Sequence, residues 1–233
     1  MVAVRDINLQ MLEFVAERLE PLLDRLVFLG GCTTALFITD TGAPDVRTTH
    51  DVDVIVEVLS RNAYWQLEER LRELGCIQEV DEKITCRWKL DGLTLDVMPT
   101  DAYILGFSNR WYTGAIKNSE ITSLKDNLVI RLVTPVYFIA TKLEAFFGRG
   151  KEDYWGSHDL EDIMTVIDGR SEILPELSEA DPELKTYIAK TFSGFIATEG
   201  FREAISGHLP PDRASQSRLP LLWQRLVDIA ALD

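Results

Sequence analysis

Cysteine and histidine are scarce in this chain. Cys32, Cys76 and Cys86 form an odd set with no C-x-x-C pair, and His50, His158 and His208 stand far apart. Both facts argue against a disulfide framework and a structural zinc site, and a reducing compartment fits. Glycine (14) and proline (9) are too few for a collagen-like or low-complexity chain. Apolar runs last only a few residues, too short to span a bilayer, so no membrane association is expected. The opening Met1-Val-Ala-Val-Arg-Asp soon turns amphipathic and lacks the basic start and long apolar middle of a secretory leader; a cytoplasmic location is the expectation. Positive charge is also short. Lys and Arg number 24 against 38 Asp and Glu, a net charge of −14. That balance argues against coating nucleic acid by bulk electrostatics but leaves room for a local cationic pocket.

What remains is an ordinary globular composition, 46% hydrophobic and 27% charged over 233 residues, enough for one large core or two small ones. The spacing of Leu9, Leu12, Val15, Leu19, Leu22, Leu23 and Leu26 predicts an amphipathic helix over 8–26. A short buried strand, Val27-Phe-Leu, then meets Gly30-Gly31. A short helix over 32–38, a polar loop over 39–49 and a strand over 51–58 follow. A helix over 61–74 ends at Gly75. Strands are expected at 76–80, 84–90 and 93–98, the last two joined by Asp91-Gly92, and at 121–124 and 128–132. From Pro135 the pattern is helical, with helices at 135–147, 157–168, 171–178, 182–205 and 217–231. The chain thus reads as a mixed α and β lobe over 1–133 and a helical lobe over 134–233, closely packed because no Ser/Gly-rich linker parts them.

The chemistry concentrates in acidic residues. Side chains alternate along a strand, so Asp51 and Asp53 share one face, roughly 6–7 Å apart at the backbone, while Val52, Val54 and Val56 take the other. In the strand over 93–98, Leu93, Leu95 and Val97 are core-facing and put Asp96 on the opposite side. If the two strands are neighbours, three carboxylates converge. Such a cluster repels itself unless a hard divalent cation joins it, and Mg²⁺ (or Mn²⁺) takes oxygen ligands while leaving room for phosphates. Asp-x-Asp alone serves a wet edge strand equally well. Gly30-Gly31 adds a place where backbone can approach a ligand, with Thr33 and Thr34 supplying hydroxyls; a plain strand-to-helix turn uses the same residues.

Gly30-Gly31, Asp51-Val-Asp53 opening a valine-rich strand, and a lone Asp96 in a later strand together resemble the signature of the polymerase-β-like nucleotidyltransferases. Arg47-Thr-Thr-His-Asp51-Val-Asp53, with Lys142, Asp159 and Asp162 further on, is similar to the AbiEii-type members, which include MenT-like toxins of toxin–antitoxin systems. The resemblance spans roughly 27–168. Cys32 stands where the family has Ser or Thr, and the gap from Gly31 to Asp51 is longer than usual. The resemblance implies an α+β fold, a nucleotidyltransferase-type mixed sheet with flanking helices followed by a C-terminal helical lobe. It implies an NTP as substrate, ATP included, with Asp51, Asp53 and Asp96 as metal-binding and catalytic residues and Lys142 as a catalytic and triphosphate contact. Gly30, Gly31, Cys32, Thr33, Thr49, Arg149 and Asp159 complete its nucleotide-binding set. A tRNA 3′ end is the favoured acceptor, with a protein hydroxyl or small molecule as alternatives, and an antitoxin protein is an implied partner. The rival reading is a non-catalytic nucleotide-binding or interaction module on the same scaffold.

Lys142 follows a Pro135 well placed to open a helix, and Arg149 lies seven residues on, sharing its face if the helix reaches that far. Asp159 and Asp162 are one turn apart behind Ser157, a good N-cap, so they suit ion pairing with Lys142 or Arg149 and also the positive end of their own helix.

Overall fold

The computed structural model describes residues 4–58, 60–78, 86–106, 108–125, 127–149 and 153–232. It divides into two units, Met1–Ala35 with Arg47–Thr134 and Leu36–Val46 with Pro135–Asp233. The class is mixed α and β, with the strands in the first unit and a helical second unit.

The first unit is built on a seven-stranded sheet in the order β3-β4-β5-β2-β1-β7-β6. Its strands are β1 (Leu26–Leu29), β2 (Asp51–Val56), β3 (Ile77–Gln78), β4 (Arg87–Leu90), β5 (Leu93–Pro99), β6 (Glu120–Lys125) and β7 (Leu128–Leu132). β2 runs antiparallel to β1 and parallel to β5, so the two acidic strands are immediate neighbours at the sheet's centre. Val52, Val54, Leu95 and Val97 are fully buried on the face opposite the acids. Asp91 and Gly92 both take positive φ, 48° and 91°, the conformation a two-residue hairpin between twisted strands requires. Of the expected strands over 76–80 and 84–90, the described residues form Ile77–Gln78 and Arg87–Leu90; residues 79–85 lie outside the described part.

The helix predicted over 8–26 is instead α1 (Val4–Arg18), a 3-10 turn (Glu20–Leu22) and the start of β1. Pro21 explains the break: it has no N–H to donate and its ring clashes with the preceding turn. The leucine spacing simply continued across it. Likewise the helix predicted over 32–38 is a 3-10 helix, Gly31–Phe37. Helix α2 (Arg61–Glu73) is capped by the Ser60 side chain, and two short helices not foreseen, α3 (Ala102–Leu105) and α4 (Tyr112–Lys117), bridge β5 to β6.

The second unit comprises α5 (Pro135–Arg149), α6 (His158–Gly169), α7 (Ile173–Glu179), α8 (Pro182–Ala197), α9 (Glu199–Ala204), a 3-10 turn (Ile205–His208), α10 (Arg213–Gln216) and α11 (Leu219–Ala230). The helix predicted over 182–205 breaks at Thr198, whose backbone is extended; Arg202 donates to the carbonyls of Ile196 and Ala197 that the break leaves open. Phe146, Tyr154, Phe195 and Phe201 pack ring against ring in its core, with Phe195 and Phe201 stacked at 5.0 Å.

The polar loop expected after the glycine pair contributes 36–46 to this helical unit. The amides of Thr39 and Asp40 donate to the Gly169 carbonyl at 3.0 and 2.9 Å, at the C-terminal end of α6. Arg218 binds Asp40 and Asp168 at 2.7 Å each, and Arg170 donates to the Phe37 carbonyl. A Cβ at Gly169 would stand 2.8 Å from Ile38 Cδ1 and 3.2 Å from Ala43 Cβ, so the loop packs closely over this glycine. Among the described residues, no helix is long and apolar enough to cross a membrane.

Candidate metal centre

The register of β2 against β5 decides where the acids meet. Asp53 lies directly opposite Asp96, and Asp51 opposite Thr94, in a parallel pairing that carries paired residues on the same face. Asp51, Asp53 and Asp96 each offer a carboxylate oxygen, and the three oxygens lie within 4.8 Å of one another. Asp96 is buried at 8% exposure, whereas Asp51 and Asp53 are half-buried, so the cluster has one sheltered and two accessible members. Three hard oxygen donors with neither sulfur nor imidazole among them suit Mg²⁺ or Mn²⁺ better than zinc or copper.

Gly30 leaves β1 with φ of +82°. A Cβ built on it would lie 2.7 Å from Cγ and 2.8 Å from Cβ of Asp53, and closer still to its Oδ2. The glycine is therefore needed twice, for a conformation that L side chains resist and for room beside Asp53. Thr33 closes the turn: its amide and its hydroxyl both donate to the Gly30 carbonyl, at 3.0 and 2.8 Å. Thr34 is buried too, and its hydroxyl has no hydrogen-bond partner among the described residues. Gly31 opens the 3-10 helix.

Cys32 is fully buried and donates its thiol to the Asn8 carbonyl at 3.3 Å. Burial pushes that thiol up to about 12; a hydrogen bond with Thr49 opposes the shift, and Asp53 and Asp51 add to it. Asn8 is itself fully buried in α1. Its side-chain amide donates to the Arg47 carbonyl at 2.9 Å and accepts from the Thr49 amide at 3.2 Å, fixing the approach to Asp51. The leucine spacing puts Asn8 at the start of a helix, whereas α1 already runs from Val4 and carries Asn8 inside it. A lone polar residue in the apolar stripe was the signal available.

Arg87 is the residue that sequence reasoning missed most clearly. It faces Asp96 across β4 and β5. Its Nε donates to Oδ1 at 2.9 Å and its Nη2 to Oδ2 at 2.8 Å, a two-pronged pairing. Two residues along, Lys89 sits opposite Thr94 and donates to its hydroxyl at 2.8 Å. Strand alternation in Arg87-Trp-Lys89 places both cations on the acidic face and the fully buried Trp88 on the other. The hairpin was foreseen, but its register with Asp96 was not drawn from it.

Lys142, Asp159 and Asp162 come together in the second unit. The Lys142 ammonium lies 3.0 Å from Asp159 and 2.7 Å from Asp162, and all three side chains are buried. Asp159 sits in the first turn of α6 and Asp162 three residues on, and the N-terminus of that helix is capped by Ser157 accepting from the Leu160 amide. His158 is exposed and pairs with Glu161 at 3.0 Å. Arg149 is the last residue of α5, and its side chain lies outside the described part.

No protein-family model and no curated protein matches the sequence. Among solved structures, the chain is similar to an antigenic nucleotidyltransferase-like protein from Paracoccidioides brasiliensis, at 21% identity and a TM-score of 0.48, over 85% of this chain and 93% of that one.

Proposed function

We propose that the protein is a divalent-metal-dependent nucleotidyltransferase that moves NMP from an NTP to an acceptor hydroxyl and releases pyrophosphate. The observation that carries this reading is the meeting of Asp51, Asp53 and Asp96 oxygens within 4.8 Å, beside a glycine turn. Asp51 and Asp53 would hold divalent cations beside the glycine turn. Such cations, when bound, neutralise charge that builds on the phosphates during transfer. Asp96, oriented by Arg87, serves the acceptor side. The acceptor oxygen bonds to the α-phosphorus, the bond from that phosphorus to the pyrophosphate oxygen breaks, and the hydroxyl proton passes to Asp96 or through it to water. The AbiEii-like resemblance favours a tRNA 3′ end as acceptor and a toxin role opposed by an antitoxin.

Incubation with each labelled NTP and Mg²⁺ or Mn²⁺, separately with total tRNA, cell protein and metabolites, tests the reading, with Asp53→Ala as control. Label transfer lost in the variant supports it. Label retained in the variant, or no transfer to any acceptor, overturns it; nucleotide affinity without pyrophosphate would indicate a binding module. Growth arrest on expression, relieved by Asp53→Ala, is the expectation for the toxin role.

A further inference from the structure

Arg87 has no place in the residues that the family resemblance brings forward, yet it makes a two-pronged contact in the acidic cluster. Both Asp96 oxygens accept from it, at 2.9 and 2.8 Å. The sheet register lines up Leu29, Asp53, Asp96 and Arg87 across four strands, so the guanidinium flanks Asp96 on one side and Asp53 flanks it on the other. The pair is sheltered, with the Arg87 side chain at 22% and that of Asp96 at 11% exposure, so water screens it only in part. Arg87 thus acts on the cluster in two ways. It occupies one acceptor position on each Asp96 oxygen, and it sets a permanent positive charge beside the place where a cation would sit. Lys89 lies one row along and donates to the Thr94 hydroxyl.

We infer that Arg87 is a positioning residue that tunes the metal centre, holding Asp96 in place while lowering the cluster's affinity for divalent cations in the absence of nucleotide. The inference rests on the reading of the three aspartates as a metal centre. Its physical content is competition. A divalent cation arriving at Asp96 must share its oxygens with the guanidinium and bear the repulsion of a fixed cation nearby. An NTP brings enough negative charge to outweigh that repulsion, so full metal loading is coupled to substrate. Lysine at this position would keep the charge and lose the two-pronged geometry; methionine or glutamine would remove the charge at similar length.

The test is Mn²⁺ binding to the nucleotide-free full chain, followed by the electron paramagnetic resonance signal of free Mn²⁺. Arg87→Met, Arg87→Lys and Asp53→Asn are compared with the wild type, with circular dichroism to confirm folding; Arg87→Gln replaces the methionine variant if that one unfolds. The neutral variant should bind Mn²⁺ about tenfold more tightly, the size expected for one unit charge acting on a divalent ion several ångströms away in a water-like medium. Arg87→Lys should stay within about threefold of the wild type. Equal or weaker binding by the neutral variant, with Asp53→Asn abolishing binding, would overturn the inference and leave the metal centre standing. Undiminished binding by Asp53→Asn would overturn the metal centre and the inference with it.

Discussion

Asp53 rests its carboxylate in the space where a side chain on Gly30 would begin. The turn after β1 and the acid on β2 are therefore one packing unit, and the position of Asp53 depends on an atom that is missing from residue 30.

Gly30→Ala should consequently damage both stability and site. The positive φ alone costs about 1 kcal/mol for a residue with a Cβ, and the collision with Asp53 adds to it, so a loss of about 2–4 kcal/mol is expected. Urea unfolding measures the first effect and Mn²⁺ binding the second. A variant as stable as the wild type with unaltered Mn²⁺ affinity would contradict the packing argument.

Lys142 is enclosed by two carboxylates, and removing it leaves two buried negative charges without their cation. Lys142→Met should cost about 3–5 kcal/mol. Replacing the whole group, with Asp159→Leu and Asp162→Leu added, should recover much of that loss, because an apolar trio carries no desolvation penalty. Chemical denaturation of the single and triple variants checks the pair of expectations.

His208 is buried in the second unit with its Nε2 2.8 Å from the Tyr154 carbonyl, and burial holds its protonation below the ordinary 6.5. The unfolded chain therefore takes up this proton first as pH falls. Stability linked to the neutral ring is complete above 6.5 and is lost as pH drops from there toward the lowered folded value. His208→Gln, which keeps an N–H donor without titrating there, should flatten the decline of melting temperature as pH falls below 6.5. An unchanged slope in the variant would rule out His208 as its source.

The three thiols should be inert in the folded state. Burial raises Cys32 and Cys86 to about 12 and Cys76 to about 11, so thiolate is nearly absent at neutral pH. A disulfide exchange reagent at pH 8 should release almost no chromophore from native protein and three equivalents after denaturation, matching the three cysteines. Rapid labelling of Cys32 in the native state would show that the glycine turn opens.

Much of this was legible in the sequence because it followed from local periodicity. Alternation around Asp51-Val-Asp53 assigned the valines to the core and the acids to the other face, and Asp91-Gly92 marked the hairpin that later delivers Asp96. What could not be read was set by contacts between distant positions. The Arg87–Asp96 fork depends on register across β4 and β5; Asn8 gains its role from residues 39 and 41 positions away. Pro21 and Thr198 interrupted helices whose apolar spacing continued beyond the break, since spacing records which face is buried and says nothing of whether the backbone can continue hydrogen bonding.

The seating of 36–46 against the end of α6 also dictates an order of events at the ribosome. This stretch emerges more than a hundred residues before Gly169, the carbonyl it binds, and before Arg218, which fastens it. It can take hold of Gly169 and Arg170 only once α6 has been made, and Asp40 gains Arg218 later still, after α7 to α10 have followed. A chain stopped short of Arg218 would leave Asp40 and Asp168 facing each other without their shared counterion.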